Sequence, residues 1–245
     1  KNEHILSGFD WSVQLDLASS RFNTSATRGM GPIRQSEPLV FDKLAKADAN
    51  SKIFNPRYPV KVGWCSVLFT FFLLRELECA SAQHKDMTLD RKAQTVTWWL
   101  SASKNDPRAI GCSRKWGCTC GDAIIIEACP YHAAAALNEY LVDTFADRVE
   151  EEGFPLFPDA DGNEASPETM LCLIEELAHL TGERLYNKAA KKRLGKHSWR
   201  STGAVHLGKC GLETNKISLM ERWFCAVELH VWIQIFILPE SLSRF

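Results

Sequence analysis

Gly195-Lys-His197-Ser-Trp-Arg200-Ser-Thr-Gly-Ala-Val-His-Leu-Gly-Lys-Cys-Gly211 is the stretch on which the reading of this chain turns. It follows a basic, Gly-containing loop, and its pattern gives a helix from about His197 to Cys210 closed by Gly211. His197 and Arg200 lie three apart, so both side chains share one face near the helix start. That pairing suits a phosphate. The guanidinium offers a bidentate fork, the imidazole can donate a hydrogen bond or a proton, and the first turn adds unpaired N–H groups with partial positive charge. A lone His-x-x-Arg is nevertheless common by chance, and a plain surface helix start would account for it.

Charge supports the phosphate reading only when counted by segment. The 245 residues carry 29 Lys+Arg against 30 Asp+Glu, a formal net charge of -1 that by itself argues against a nucleic-acid partner. From Leu141 to Leu180, eleven acids face one base, Arg148, for a net charge of -10. From Tyr186 to Arg222, nine bases face Glu213 and Glu221, for a net charge of +7. Such a basic field attracts phosphates even on a neutral protein; a solvated helix face and loop is the bland alternative. Lys192, Arg193 and Lys196 are its DNA-binding candidates, with Arg108 further upstream.

With 45% hydrophobic and 24% charged residues the composition is that of an ordinary globular protein, which excludes collagen, coiled coil and wholesale disorder. The apolar run Val62 to Leu74 is too short to cross a bilayer, so no membrane partner is expected. The opening Lys-Asn-Glu-His reads as a fragment or processed piece, and residues 1–36 as a linker or the remnant of an upstream domain. A short amphipathic helix is expected after Ser36, and a core helix from about Val60 to Ala82. Two β-rich runs follow, Met87 to Arg91 and Thr95 to Ser103, about a turn at Asp90 to Lys92. Further helices are expected over His132 to Phe145, between Ser166 and Gly182, from Glu213 to Trp223, and from Cys225 to Leu238. The fold class is therefore mostly α with a small antiparallel β-sheet (α+β).

Nine cysteines are present, four of them clustered. Cys112-x5-Cys118-x-Cys120-x8-Cys129-Pro-Tyr-His132 offers five soft or borderline ligands, of which four would complete a tetrahedral zinc site. The closing Cys-x2-His is ligand-like, whereas the first half departs from the usual Cys-x2-Cys knuckle. A structural zinc held by Cys112, Cys120 or Cys118, Cys129 and His132 stands beside free thiols as a reading. A disulfide is disfavoured by the reducing, intracellular compartment that the missing secretory signal suggests.

The box from Gly195, followed by Ile217-Ser-Leu-Met-Glu-Arg-Trp223, resembles that of the tyrosine recombinase (phage integrase) family. Upstream, Leu73-Leu-Arg75-Glu-Leu-Glu78 is similar to the family's first Arg box, and Ser103-Lys104-Asn-Asp-Pro-Arg108 stands where the family carries its hairpin Lys. The resemblance covers roughly Glu37 to Pro239, and implies a recombinase-like catalytic domain over residues 37–245 with a Cys-rich insertion at 112–132. It implies that Arg75 and Arg200 clamp the scissile phosphate and that Lys104 acts as general acid. His197 would assist proton transfer, Trp223 would pack or hydrogen-bond at the phosphate, and Glu78 would support them. No cofactor is implied for the chemistry. Double-stranded DNA is the partner, with self-association on DNA, in the nucleus if the host is eukaryotic.

The family's nucleophile is a Tyr some nine residues beyond the Trp223 position, where this chain has Trp232. Its four tyrosines, Tyr58, Tyr131, Tyr140 and Tyr186, all precede His197. An indole cannot attack phosphorus, so the chain as written is expected to bind DNA without cleaving it by the family mechanism. A decayed mobile-element relic, an altered reading frame or splice over the last segment, and a Tyr supplied in trans each explain this. The rival readings are a non-catalytic DNA-binding or regulatory protein and a zinc-stabilised interaction domain.

Overall fold

A helix that is apolar on every side has to lie in the middle of a protein. Val62–Phe71 (α2), which follows a short α1 at Phe41–Leu44, buries every residue except Trp64. Its two hydroxyls, on Ser66 and Thr70, donate to the carbonyls of Val62 and Ser66 one turn back, which offsets the cost of burying them. Pro130–Phe145 (α4) and Ser198–Lys209 (α6) pack against α2. Phe69, on α2, meets the rings of Phe157 and Trp199 edge-on. Full burial of each such ring contributes about 1.5–3 kcal/mol. The computed structural model describes residues 36–44, 47, 56–100, 111–120 and 128–220, all in one unit that begins at Ser36.

The expected core helix from Val60 to Ala82 is in fact two helices. Leu73 takes a left-handed backbone (φ 54°), and the Leu74 N–H turns back to the Phe69 carbonyl at 3.0 Å. The chain then restarts as a short helix, α3, over Glu76–Ala80. A non-glycine residue held in that conformation costs roughly 1–3 kcal/mol. It persists because Leu73 is completely buried.

The sheet has three antiparallel strands in the order β1-β2-β3: Met87–Asp90 (β1), Thr95–Leu100 (β2) and Cys112–Gly117 (β3). The first two fall where the β-rich runs predict them. The third occupies the start of the cysteine-rich insertion. On the inward face, Val96 pairs with Trp116, Trp98 with Arg114 and Leu100 with Cys112. An arginine in that row masks the alternation of a half-buried strand, yet Arg114 is buried. Its guanidinium donates to the carbonyls of Phe72 and Met220, so the sheet is pinned to the α2–α3 break and to Thr214–Met220 (α7).

One of the remaining helices keeps both its expected ends, and another starts early. Pro167–Leu180 (α5) starts at Ser166, whose Oγ accepts the Thr169 N–H at 3.2 Å, and stops before Gly182 at φ 69°. α4 begins two residues before His132 because Pro130 sits comfortably in a first turn. The basic stretch before α6 makes a narrow loop closed by a bridge between Tyr186 and Lys192. α7 is described as far as Met220, and the expected helix from Cys225 to Leu238 lies outside the described residues. Among the described residues no helix is long and apolar enough to cross a membrane.

The α1–α6 contact makes stability depend on pH. His206 of α6 stacks on Phe41, ring centres 3.9 Å apart, and burial pushes its imidazole down to about 4. The unfolded chain takes up a proton below about pH 6.5 that the folded one refuses, so stability is lost as pH falls from about 6.5 to about 4. The loss amounts to roughly 2–3 kcal/mol. In urea unfolding at pH 7 and pH 4.5, His206→Leu is expected to show a clearly smaller drop than the natural chain.

Candidate functional site

The α2–α3 break and the start of α6 come together to form the site. Arg75 is the extended residue just before α3, and its backbone N–H donates to Glu78 Oε2 at 2.9 Å. The same carboxylate oxygen accepts the Arg200 guanidinium at 3.0 Å. Arg200, only 4% exposed, also donates from Nε to the Leu73 carbonyl at 2.9 Å. The left-handed turn at Leu73 thus aims a carbonyl at Arg200, and Glu78 ties both arginine positions together. A buried guanidinium with a carboxylate and a carbonyl as acceptors is held in one orientation.

The start of α6 is fixed as firmly. Ser198 Oγ donates to the Glu37 carbonyl and accepts the Gly195 N–H, each at 3.0 Å. Thr202 Oγ1 accepts the Leu39 N–H at 2.9 Å, and Trp199 is completely buried. Gly203 lets α6 approach α2 very closely: a Cβ there would stand 2.1 Å from the Thr70 carbonyl oxygen.

His197 is the exposed residue immediately before the first turn of α6. Its imidazole is held below the usual histidine range, first by burial, then by the positive charges of Arg75, Arg200 and Lys196, with Glu76 opposing. The charges of Arg75, Arg200 and Lys196 all bear on this ring, and Glu78 ties the first two positions together. The buried Nε of Arg75 has no hydrogen-bond partner among the described residues. An orphaned buried donor is what an anion would satisfy, while the buried Glu76 Oε2 is an orphaned acceptor among the described residues.

Of the residues singled out in the sequence, Arg75, Glu78, His197 and Arg200 are brought together. Lys196 joins them, its Nζ 4.0 Å from Glu76 Oε1. Lys192 and Arg193 are engaged within the chain, Lys192 with Glu175 and Arg193 with Glu37 and the Arg184 carbonyl. Lys104, Arg108, Trp223 and Trp232 lie outside the described residues. Three contributors escaped the sequence reading. Arg114 braces the break from below, Glu76 is a buried acid under Lys196, and Gly203 sets the α2–α6 distance. Only Gly203 left a signal, a glycine in mid-helix with no cap to make.

Away from this pocket, the Cys/His stretch folds into a cluster whose membership differs from the expected one. Cys118, Cys120, Cys129 and His132 place their ligand atoms within 4.8 Å of one another. Cys112 is not among them. It lies on β3 opposite Leu100 and packs against the core, and the ladder carries the chain five residues on before the cluster begins.

No protein-family model and no curated protein matches this chain. Solved structures do. The XerH site-specific recombinase bound to difH substrate, in a pre-cleavage complex, superposes with a TM-score of 0.54 at 13% identity over 77% of this chain. The same recombinase on a palindromic difH substrate, after cleavage, gives 0.56 at 14% identity over 79%. The fold is therefore that of a tyrosine recombinase catalytic domain, with its helices and small three-stranded antiparallel sheet. The chain spans about half the length of those structures, 48% in each case.

Proposed function

We propose that this chain binds duplex DNA as a tyrosine recombinase-like domain of a recombination or integration system, gripping a backbone phosphate between Arg75, Arg200 and His197. The observation that carries the reading is that Glu78 ties Arg75 and Arg200 together at the start of the helix His197 precedes, with the buried Arg75 Nε lacking a hydrogen-bond partner among the described residues. The neighbours with this fold are recombinases captured on DNA, which supports the same partner here. Phosphoryl transfer depends chiefly on positioning and charge neutralisation, which cationic groups gathered at a phosphate would serve. Self-association on DNA belongs to the same reading, and in a eukaryotic host the nucleus would be its place of work.

Strand cleavage is a separate matter. With Trp232 where the nucleophile would stand and no Tyr after His197, the chain as written grips DNA without forming a phosphotyrosine. This favours a non-catalytic descendant of a mobile-element integrase over an active enzyme. A nicked suicide duplex tests it: binding without any covalent, protease-sensitive adduct is expected, and an adduct would contradict it.

Arg75→Gln isolates the grip from the fold, because the Glu78 contact uses the Arg75 backbone and the side-chain Nε has no hydrogen-bond partner among the described residues. A charge-assisted hydrogen bond is worth about 1.5–3 kcal/mol, so duplex affinity should fall about tenfold to a hundredfold. The melting temperature should stay unchanged. Electrophoretic mobility shift and thermal unfolding of the same preparation check both halves.

A further inference from the structure

We propose that Cys118, Cys120, Cys129 and His132 hold one structural zinc ion that fastens the base of the β2–β3 hairpin to the first turn of α4. The four ligand atoms lie within 4.8 Å of one another before any ion is considered. The sulfurs of Cys118 and Cys129 are 3.8 Å apart, and His132 Nδ1 lies 3.7 Å from the Cys118 sulfur and 3.3 Å from that of Cys120. Ligands about 2.3 Å (S) and 2.0–2.1 Å (N) from a tetrahedral zinc stand about 3.5–3.8 Å from one another. A disulfide would need sulfurs about 2.05 Å apart. A two-iron cluster would hold the ligands of its opposite irons farther apart than this group allows, so one mononuclear ion fits best.

A second observation points the same way. The backbone N–H of Thr119 is directed at the Cys129 sulfur at 3.3 Å, and that of Cys120 at the Cys118 sulfur at 3.4 Å. Three thiolates and one imidazole around a divalent ion carry a net charge of about -1. Backbone donors to the sulfurs disperse that charge and orient the ligands. Cys118 and Cys120 come from the segment just after β3, while Cys129 precedes α4 and His132 stands in its first turn, so the sulfur of one and the ring nitrogen of the other come from the start of one helix.

The position gives the ion its role. The Cys118 N–H continues the sheet ladder to the Gln94 carbonyl, and Cys129 is the residue before α4. α4 packs on α2, which leads into the Leu73 turn and Arg75. The staple therefore locks the sheet onto the helix layer at the end where Thr95 pairs with Gly117. Its presence does not depend on whether the chain acts on DNA.

Metal analysis of the full chain purified without chelator should give about one zinc per chain. Cys118→Ser, Cys120→Ser, Cys129→Ser and His132→Ala should each lower that content at least about tenfold. Cys112→Ser should retain it. Cobalt(II) added to chain stripped of metal under reducing conditions should give the intense visible bands of a tetrahedral thiolate site, abolished by zinc. That readout stands even if a variant folds poorly. Absence of stoichiometric zinc together with no cobalt spectrum, loss of metal in Cys112→Ser to the same degree, or a Cys118–Cys129 disulfide in mass spectra of the native protein would each overturn the proposal.

Discussion

Arg200→Met should cost about 3–5 kcal/mol of stability and remove detectable duplex binding at moderate salt. The substitution keeps an unbranched apolar stem but deletes a guanidinium on a residue that is 4% exposed and that serves the Leu73 carbonyl and the partly buried Glu78. What it leaves behind decides the size of the effect. Glu78 loses the Arg200 charge while still bound to the Arg75 backbone, and a partly buried carboxylate that loses a counter-charge is unfavourable. The left-handed turn at Leu73 loses the donor that meets its carbonyl, so the break between α2 and α3 loosens as well. Urea unfolding measures the first effect. Arg200→Met, Glu78→Gln is expected to recover part of the stability, since the stranded charge is gone, yet none of the binding.

Gly203→Ala should be the second most damaging change although it adds only a methyl group. Its Cβ would stand 2.1 Å from the Thr70 carbonyl oxygen and 2.4 Å from Leu73 Cδ2, and the former is backbone that cannot rotate aside. α6 must therefore shift away from α2, losing packing worth about 1–3 kcal/mol or more. That loss exceeds the roughly 1 kcal/mol that alanine gains over glycine in a helix. Because α6 carries His197 and Arg200 while α2 leads to Arg75, the shift also opens the pocket and should weaken DNA binding at least tenfold. Gly208→Ala is the matched control on the same helix. Its nearest neighbour, Ile217 Cδ1, is 3.9 Å away, so this variant should be as stable as the natural chain or more so. Parallel thermal melts and mobility shifts would separate the two glycines.

These contrasts show where local sequence rules carried the structure and where they did not. α5 announces both ends, because Ser166 and Gly182 satisfy backbone groups that any helix must satisfy. β1 and β2 are legible from alternation alone. The break at Leu73 left no mark, since nothing in Phe-Phe-Leu-Leu-Arg breaks a helix; it exists because the fold buries Leu73 and uses its carbonyl. β3 was hidden by the inward Arg114, whose charge is tolerable only through acceptors 42 and 106 residues away in sequence. The choice of Cys118 over Cys112 is likewise tertiary, because the ladder with β2 commits Cys112 to the sheet. At the pocket, spacing alone put His197 beside Arg200, while the meeting with Arg75 and Glu78 needed the family resemblance to be expected. Lys192 and Arg193 read as free positive charge along the chain but pair with Glu175 and Glu37 from distant segments.

The central claim is that a basic pocket at Arg75, His197 and Arg200 grips a DNA phosphate. Its most direct test is the salt dependence of duplex binding by the natural chain and by Arg75→Gln. Affinity of the natural chain should fall at least about tenfold between roughly 50 and 200 mM salt. The slope of log affinity against log salt should be smaller by about one for Arg75→Gln. Duplex binding that is indifferent to salt, or a slope identical in the two proteins, would contradict the account.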